Sequence, residues 1–395
     1  MNLKAELRVE LASILSYWIN NTVDHENGGF IGEIASNNKP TPNASKGAVL
    51  NTRILWAFSA AYRFDSKPEY KEMAQRAYDY IIKYFWDKEN GGVFWEIDSK
   101  GNSINTRKQI YAQGFALYGF SEFYRAFGNK DALDFAIETF NLIEKYSYDS
   151  VNGGYLEALS KQWQPMEDMR LSDKDENTPK SMNTHLHIIE PYTNLYRVWK
   201  DQNLGDKIHG LLNVFFDKII DSKAGNFKLF FDTDWTVLPS VVSYGHDIEG
   251  TWLLTEAAEV YGDAALLKRA EAFAITMSDK VLQNGTDTDG SIFYELHLSN
   301  KHLDTNKHWW PQAEGMVGFL NSYQITKDDR YLNEVKKLWD FIKKNIIDSQ
   351  NGEWFWLVKQ DGTTHPEEVK VGFWKCPYHN TRALIEVIER LEKLG

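Results

Sequence analysis

Histidines, carboxylates and tryptophans recur in this chain near the starts of apolar-periodic segments, and imidazoles beside carboxylates are groups suited to moving protons. Residues 181–190 read SMNTHLHIIE, with His185 and His187 just behind an Asn-Thr pair. Asn183 or Thr184 can cap a helix there, its side-chain oxygen accepting from a free N–H of the first turn. Residues two apart on a helix point roughly 200° from each other, so His185 and His187 cannot serve one site. By themselves, one is expected to be a satisfied core histidine and the other solvated. His246 and Glu249 stand three apart and share a helix face. A carboxylate beside an imidazole raises its pKa and fixes its tautomer, which makes His246 a candidate base.

Comparable groups open other segments: Asn51-Thr52-Arg53, Tyr111, Trp309-Trp310 with Glu314 downstream, and Trp374 with His379. Trp309, Trp310, Trp374 and Trp252 offer flat apolar faces of the kind that stack on pyranose C–H faces, and Asn183, Asp175 and Glu314 can hold hydroxyls. His187, His246, Glu249 and His379 could nominally ligate a metal. Arg53 in the same group opposes a cation, and no local ligand spacing such as HExxH occurs, so no metal is expected.

Elements that could bring these groups together are legible in the repeats. NGGF at 27–30, NGGV at 90–93 and NGGY at 152–155 recur at near-equal spacing, with weaker copies AGNF, DGSIF and NGEWF further on. Asn-Gly and Gly-Gly supply positive φ, so each copy reads as a hairpin-like turn, and six copies make six units. Between them lie helical periods at 3–19, 49–64, 68–85, 111–127, 130–146, 183–199, 204–219, 246–261, 263–281, 310–325, 327–346 and 378–394. Short breaks such as Phe127-Gly128-Asn129 join them into αα-hairpins. The expected fold is an all-α, six-hairpin toroid, an (α/α)6 barrel with short β-hairpin loops at one end, forming one domain over 1–395. Every second helix is the inner one, and inner helices all start at the same end, so their polar openings converge on one funnel. Loops 33–46 and 162–180 are the expected walls of that funnel.

Composition narrows the class. With 43% hydrophobic residues and 14 Trp a large core is easily built, and a net charge of −12 argues against nucleic-acid and membrane partners. The single cysteine, Cys376, excludes an internal disulfide and fits a reducing compartment. The first residues are amphipathic rather than signal-like and no apolar run reaches spanning length, so a cytoplasmic protein is expected, as monomer or weak homodimer.

Four stretches, NTHLHIIEPYTNLYR, YGHDIEGTWLL, KHWWPQAEG and WKCPYHNTRA, resemble the N-acylglucosamine 2-epimerase superfamily and, within it, the cellobiose 2-epimerases. The similarity runs in order along nearly the whole chain. It implies the same barrel, and cofactor-independent, reversible C2 epimerisation of the reducing-end glucose of β-1,4-linked disaccharides, taking cellobiose to glucosyl-mannose and lactose to epilactose. Matched by motif, His246 and His379 take the acid/base places, and Arg53 and His187 those that hold O1 and O2. Tyr111, Asn183 and Glu249 match supporting contacts, Trp309 and Trp374 stacking residues, and Asp175 a sugar contact; Trp310 and Glu314 join them as substrate-binding residues. The chemistry is consistent: a C2–H beside an aldehyde is too weakly acidic for imidazole unless donors stabilise the enediolate, typically by a few kcal/mol each. An aldose–ketose isomerase or an N-acylglucosamine epimerase would share this scaffold. An inverting glycoside hydrolase would need two flanking carboxylates, where this funnel collects histidines.

Overall fold

The breaks between paired helices both stop one helix and start the next. In the computed structural model, which describes residues 3–173, 175–239 and 241–394, Gly128 ends α4 (Ile110–Phe127) in the left-handed region at φ 67°, where a side chain would cost strain. Asn129 then caps α5 (Lys130–Tyr146) by accepting from the Ala132 N–H. Gly262 and Asp263 repeat the device between α8 (Tyr244–Tyr261) and α9 (Ala264–Lys280).

The remaining helices are α1 (Leu3–Asn21), α2 (Ala48–Phe64), α3 (Pro68–Tyr80), α6 (Met182–Tyr196), α7 (Gln202–Val214), α10 (Trp309–Thr326), α11 (Asp329–Phe341) and α12 (Tyr378–Lys393). All twelve expected helices are present, with ends shifted by no more than about a turn. α3, α7, α9 and α11 each continue into a wider π-turn. The even-numbered helices contact one another in sequence, α12 packs back on α2, and each is backed by an odd-numbered partner, α1 lying against α12. That closed ring of six hairpins is the expected (α/α)6 barrel. Burial follows position. α2 is buried on every side from Ala48 to Ala61, because it touches two ring neighbours and an outer helix. α5 buries one stripe, Ala132, Ala136, Thr139, Phe140 and Ile143, and exposes residues such as Lys130, Asp134 and Glu138 on its other side.

Strands of two or three residues form hairpins at the end where the inner helices begin. Each repeat turn is closed by an antiparallel pair, as between Trp86 and Val93 or Tyr148 and Tyr155. Five of the turns carry a further staple. A buried lysine from the approach to the next inner helix pairs with the turn aspartate: Lys46–Asp24 at 2.7 Å, Lys108–Asp87 at 2.9 Å, Lys180–Asp149 at 2.8 Å, Lys307–Asp287 at 3.0 Å and Lys370–Asp348 at 2.5 Å. A charge in that setting is tolerable only when paired, so each staple ties a turn to a helix start. Of the two long loops, 33–46 pairs Ile34–Ala35 with Val369–Val371. Loop 162–180, in which Lys174 lies outside the described residues, is held by Arg107 donating to the Asp168 carbonyl at 2.5 Å. Among the described residues no helix is long and apolar enough to cross a membrane.

Candidate active site

Two rings of side chains circle the starts of the inner helices. In the outer ring, Gln113, His185, Asp247 and Gln312 each accept the backbone N–H of the aromatic or β-branched residue that follows a repeat turn. The distances are 2.8 Å from Val93, 2.9 Å from Tyr155, 2.7 Å from Phe227 and 2.8 Å from Ile292. Two residues further along each helix come Phe115, His187, Glu249 and Glu314, and at the same level Arg53 on α2 and Arg382 on α12; these six face inward. Arg53 lies over the Phe115 ring, 4.1 Å from its centroid, and donates to the Tyr111 hydroxyl at 2.7 Å.

His185 and His187 part company as their spacing requires, but neither is solvated. His185 donates from Nδ1 to the Ser181 carbonyl at 2.6 Å and accepts at Nε2, so it is fully satisfied, with burial holding its pKa down to about 4. His187 is buried as well and pairs through Nδ1 with Glu190 at 3.0 Å. Neither Asn183 nor Thr184 is the cap; Ser181 is, accepting from the Thr184 N–H at 3.1 Å. Within α6, His187 leaves helical geometry at φ −91°, ψ 15°. Pro191, four residues on, has no N–H for the His187 carbonyl, which accounts for the kink. Gly114 of α4 lies against that carbonyl, and a Cβ there would stand 2.3 Å from it.

A buried arginine that sequence reasoning passed over lies between the dyads. Arg382 donates through Nη1 to Glu190 and to the Tyr378 hydroxyl, and through Nη2 to Glu249 and Glu314, each at 2.6 Å. Glu314 also accepts from His379 Nδ1 at 2.6 Å. Burial pushes Glu190 up, but Arg382 and the bond to His187 overrule it and hold its carboxyl at about 2. Burial and the neighbouring Glu314 push Glu249 well above the carboxylate range, and one of its oxygens, Oε2, has no partner within the protein. Glu190, held ionised, only accepts, so His187 carries its proton on Nδ1 and presents a lone pair at Nε2. Burial raises Glu314 while Arg382 opposes it, and with Glu314 as the carboxylate His379 is arranged in the same way. Burial also lowers the pKa of both imidazoles, with Arg53 and Arg382 adding to the effect at His379.

His246 differs from the expectation. Glu249 is committed to Arg382, and His246 Nδ1 instead meets the Ser243 hydroxyl at 2.8 Å. With no carboxylate beside it, its pKa is not raised; enclosure in the barrel, followed by the influence of His187, brings it down to about 3. Trp310 covers it at 4.7 Å between ring centroids and lies 5.8 Å from the His379 ring. Trp374, half-buried, stands edge-on to Tyr111 at 5.9 Å, and Tyr111 edge-on to His187 at 5.0 Å. Trp310, Trp374, His246 and Asn183 are partly exposed, whereas Arg53, Tyr111, His187 and His379 are buried. Trp309 is buried instead, its faces met by Trp356 and the Lys375 ammonium. Trp252 is core, donating to Glu314 at 3.1 Å. Glu314, expected to hold a hydroxyl, spends its oxygens on His379, Arg382 and Trp252. Asp175 lines a crevice with Asn183 and Arg170 under loop 162–180, where its carboxylate also accepts from Ser172.

Glu249, Glu314 and His379 bring possible ligand atoms within 4.8 Å of one another, but the guanidinium of Arg382 already serves both carboxylates as their cation. Glu190, Arg382 and Ser243 were the residues missed. Their signal was present: Glu190 and Arg382 each lie three residues after a histidine and so share its helix face.

The chain is similar to known proteins along nearly its whole length. Residues 29–383 match the N-acylglucosamine 2-epimerase (GlcNAc 2-epimerase) family. A cellobiose 2-epimerase of Bacteroides fragilis is 49% identical over 387 residues, covering 98% of either chain. One from Dictyoglomus turgidum is 41% identical, covering 98% of this chain and 99% of that one. The solved structure of cellobiose 2-epimerase from Bacillus thermoamylovorans B4167 superimposes with a TM-score of 0.93 at 38% identity, covering 98% of this chain and 99% of its own. On its sequence, its barrel and the motifs that line its funnel, this chain belongs to the N-acylglucosamine 2-epimerase family.

Proposed function

We propose that this chain is a cofactor-independent isomerase that reversibly inverts C2 of the reducing-end glucose in β-1,4-linked disaccharides, turning cellobiose into glucosyl-mannose and lactose into epilactose. The observation that carries this reading is the convergence of three imidazoles and Arg53 in one aromatic-walled funnel, with the Nε2 lone pairs of His187 and His379 left free for substrate. His246 and His379 form the acid/base pair. One opens the hemiacetal by moving a proton between O1 and O5; the C2 proton is then removed and returned on the opposite face. Arg53 and His187 hold O1 and O2 as negative charge develops on the enediolate, a preorganised arrangement that needs no rearrangement in the reaction step. Depressed imidazole pKa values keep these groups unprotonated at neutral pH, with a ring nitrogen lone pair to accept a proton.

Tyr111 orients Arg53; Asn183, Asp175, Trp310 and Trp374 form the sugar-facing wall. Trp309, Glu249 and Glu314 act from behind it, through His379 and Arg382. The catalytic unit is one domain over 1–395, a reading supported by closure of the ring where α12 meets α1 and α2. The partner is a small oligosaccharide rather than a nucleic acid or a membrane, in keeping with the acidic charge, and the location cytoplasmic, in keeping with one buried cysteine; the assembly is read as a monomer or weak homodimer.

Turnover of cellobiose in D2O tests the mechanism, because an imidazolium exchanges its proton with solvent. NMR of the product should find deuterium at C2 of a mannose-type reducing end. Retention of the original hydrogen at C2, with water reaching the site, would require a transient oxidation with return of the hydride in place of exchangeable proton transfer. Deuterium at C1 with a ketose product would make the enzyme an aldose–ketose isomerase.

A further inference from the structure

His187 lies on α6 and His379 on α12, across the ring, yet both are braced by the same side chain. His187 Nδ1 leans on Glu190, and Glu190 accepts from Arg382 Nη1; His379 Nδ1 leans on Glu314, and Glu314 accepts from Arg382 Nη2. The guanidinium is buried, 1% exposed, and packed over the rings of Tyr378 and Trp252 at 4.3 and 4.7 Å. Those planar contacts leave it one orientation, with its two terminal nitrogens aimed at opposite dyads. We propose that Arg382 is a positioning residue shared by two catalytic histidines, fixing both imidazoles in the Nδ1–H tautomer with Nε2 toward the substrate.

Three features support the assignment. The first is electrostatic: Glu190 and Glu314 both accept from this one cation, and a carboxylate stripped of it would take up a proton and could then donate to the imidazole, so that the Nδ1–H tautomer would no longer be enforced. The second is shape: the link needs two donors held rigidly apart in one plane, which a guanidinium supplies and an ammonium does not. The third is contrast. His246 rests on Ser243 alone and has no link to Arg382, so of the three funnel histidines two are coupled and one is independent.

This inference rests on the proposed roles of His187 and His379, and the test separates the two. In Arg382→Lys, kcat on cellobiose should fall about 10²-fold or more, the scale of misplaced acid–base groups, while KM stays within a few-fold because the sugar-facing wall is untouched. In double-mutant cycles, Arg382→Lys and Glu314→Gln should not multiply, since both cut the same link, whereas Arg382→Lys and Ser243→Ala should multiply. If Arg382→Lys fails to fold by circular dichroism, Glu190→Gln and Glu314→Gln decide, each expected to cut kcat more than tenfold with KM held. The proposal is overturned if Arg382→Lys keeps kcat within tenfold while His379→Ala is inactive, if the Arg382 and Glu314 losses multiply, or if both glutamine variants stay within twofold of wild type. An active His379→Ala enzyme would remove the proposed role of that histidine, and this inference with it.

Discussion

The outer and inner rings at the starts of the inner helices sit two residues apart on the same segments, yet only the outer one repeats. Gln113, His185, Asp247 and Gln312 perform one task four times, accepting a backbone N–H behind a repeat turn. Any acceptor of suitable length meets that need, so an amide, an imidazole and a carboxyl are interchangeable there. The inner ring reads Arg53, Phe115, His187, Glu249, Glu314 and Arg382, with little repetition. A six-fold scaffold offers six equivalent places, and here they are filled by unlike side chains that pair with one another, as Arg382 does with Glu249 and Glu314. Repetition therefore marks structure in this barrel, and departure from it marks chemistry.

The largest effect that would break this comparison lies on the inner side. His379→Ala and His246→Ala should each lower kcat by roughly 10²–10⁴-fold, the usual contribution of a placed acid or base, with the fold retained by circular dichroism. Activity within tenfold of wild type in either variant would return that histidine to a structural role. Next comes a staple. Lys108 is buried and bonds both Asp87 and the Gly91 carbonyl. Lys108→Met leaves a buried carboxylate uncompensated and should cost about 3–5 kcal/mol by chemical denaturation, while kcat of the folded fraction changes little. A large fall in kcat at unchanged stability would mean that the outer collar takes part in catalysis.

The smallest effect sharpens the comparison most. His185→Gln places at α6 the acceptor that Gln113 and Gln312 already use, so kcat should stay within about twofold. Its stability should also become less pH-dependent. His185 is held near pKa 4 in the folded protein against an ordinary value of 6.5. Between those values the unfolded chain binds the proton and the folded one does not, so wild-type stability rises with pH through that window and falls on acidification. Removing the imidazole removes its share of that slope. Denaturant melts from pH 4 to 7 that match wild type would show that His185 carries no such penalty.

Much of this architecture was legible because it depends on local patterns. Helical periods, the Gly128-Asn129 and Gly262-Asp263 breaks and the six turns are each written within a few neighbouring residues. The barrel followed from their count, and the level of the polar openings indicated which residues meet. Partner choice was less accessible. His246 and Glu249 share a helix face, yet Glu249 accepts from Arg382, delivered by another helix, and His246 stays neutral against Ser243.

By itself, then, the sequence determined the elements, their order, the closed ring and the set of side chains delivered to one end of it, since periodicity, caps and turn residues act over short range. Only the tertiary structure decided which of those side chains remain open to a ligand and which are spent on one another. Trp309 and Glu314 look from the sequence like Trp310 and Asn183, but in the barrel they lie behind the wall, occupied by Lys375 and Arg382. The reason is that hydrogen-bond partners in a buried network are set by distances between helices far apart in the chain, here Arg382 reaching Glu190, 192 residues away. No local pattern encodes such a distance.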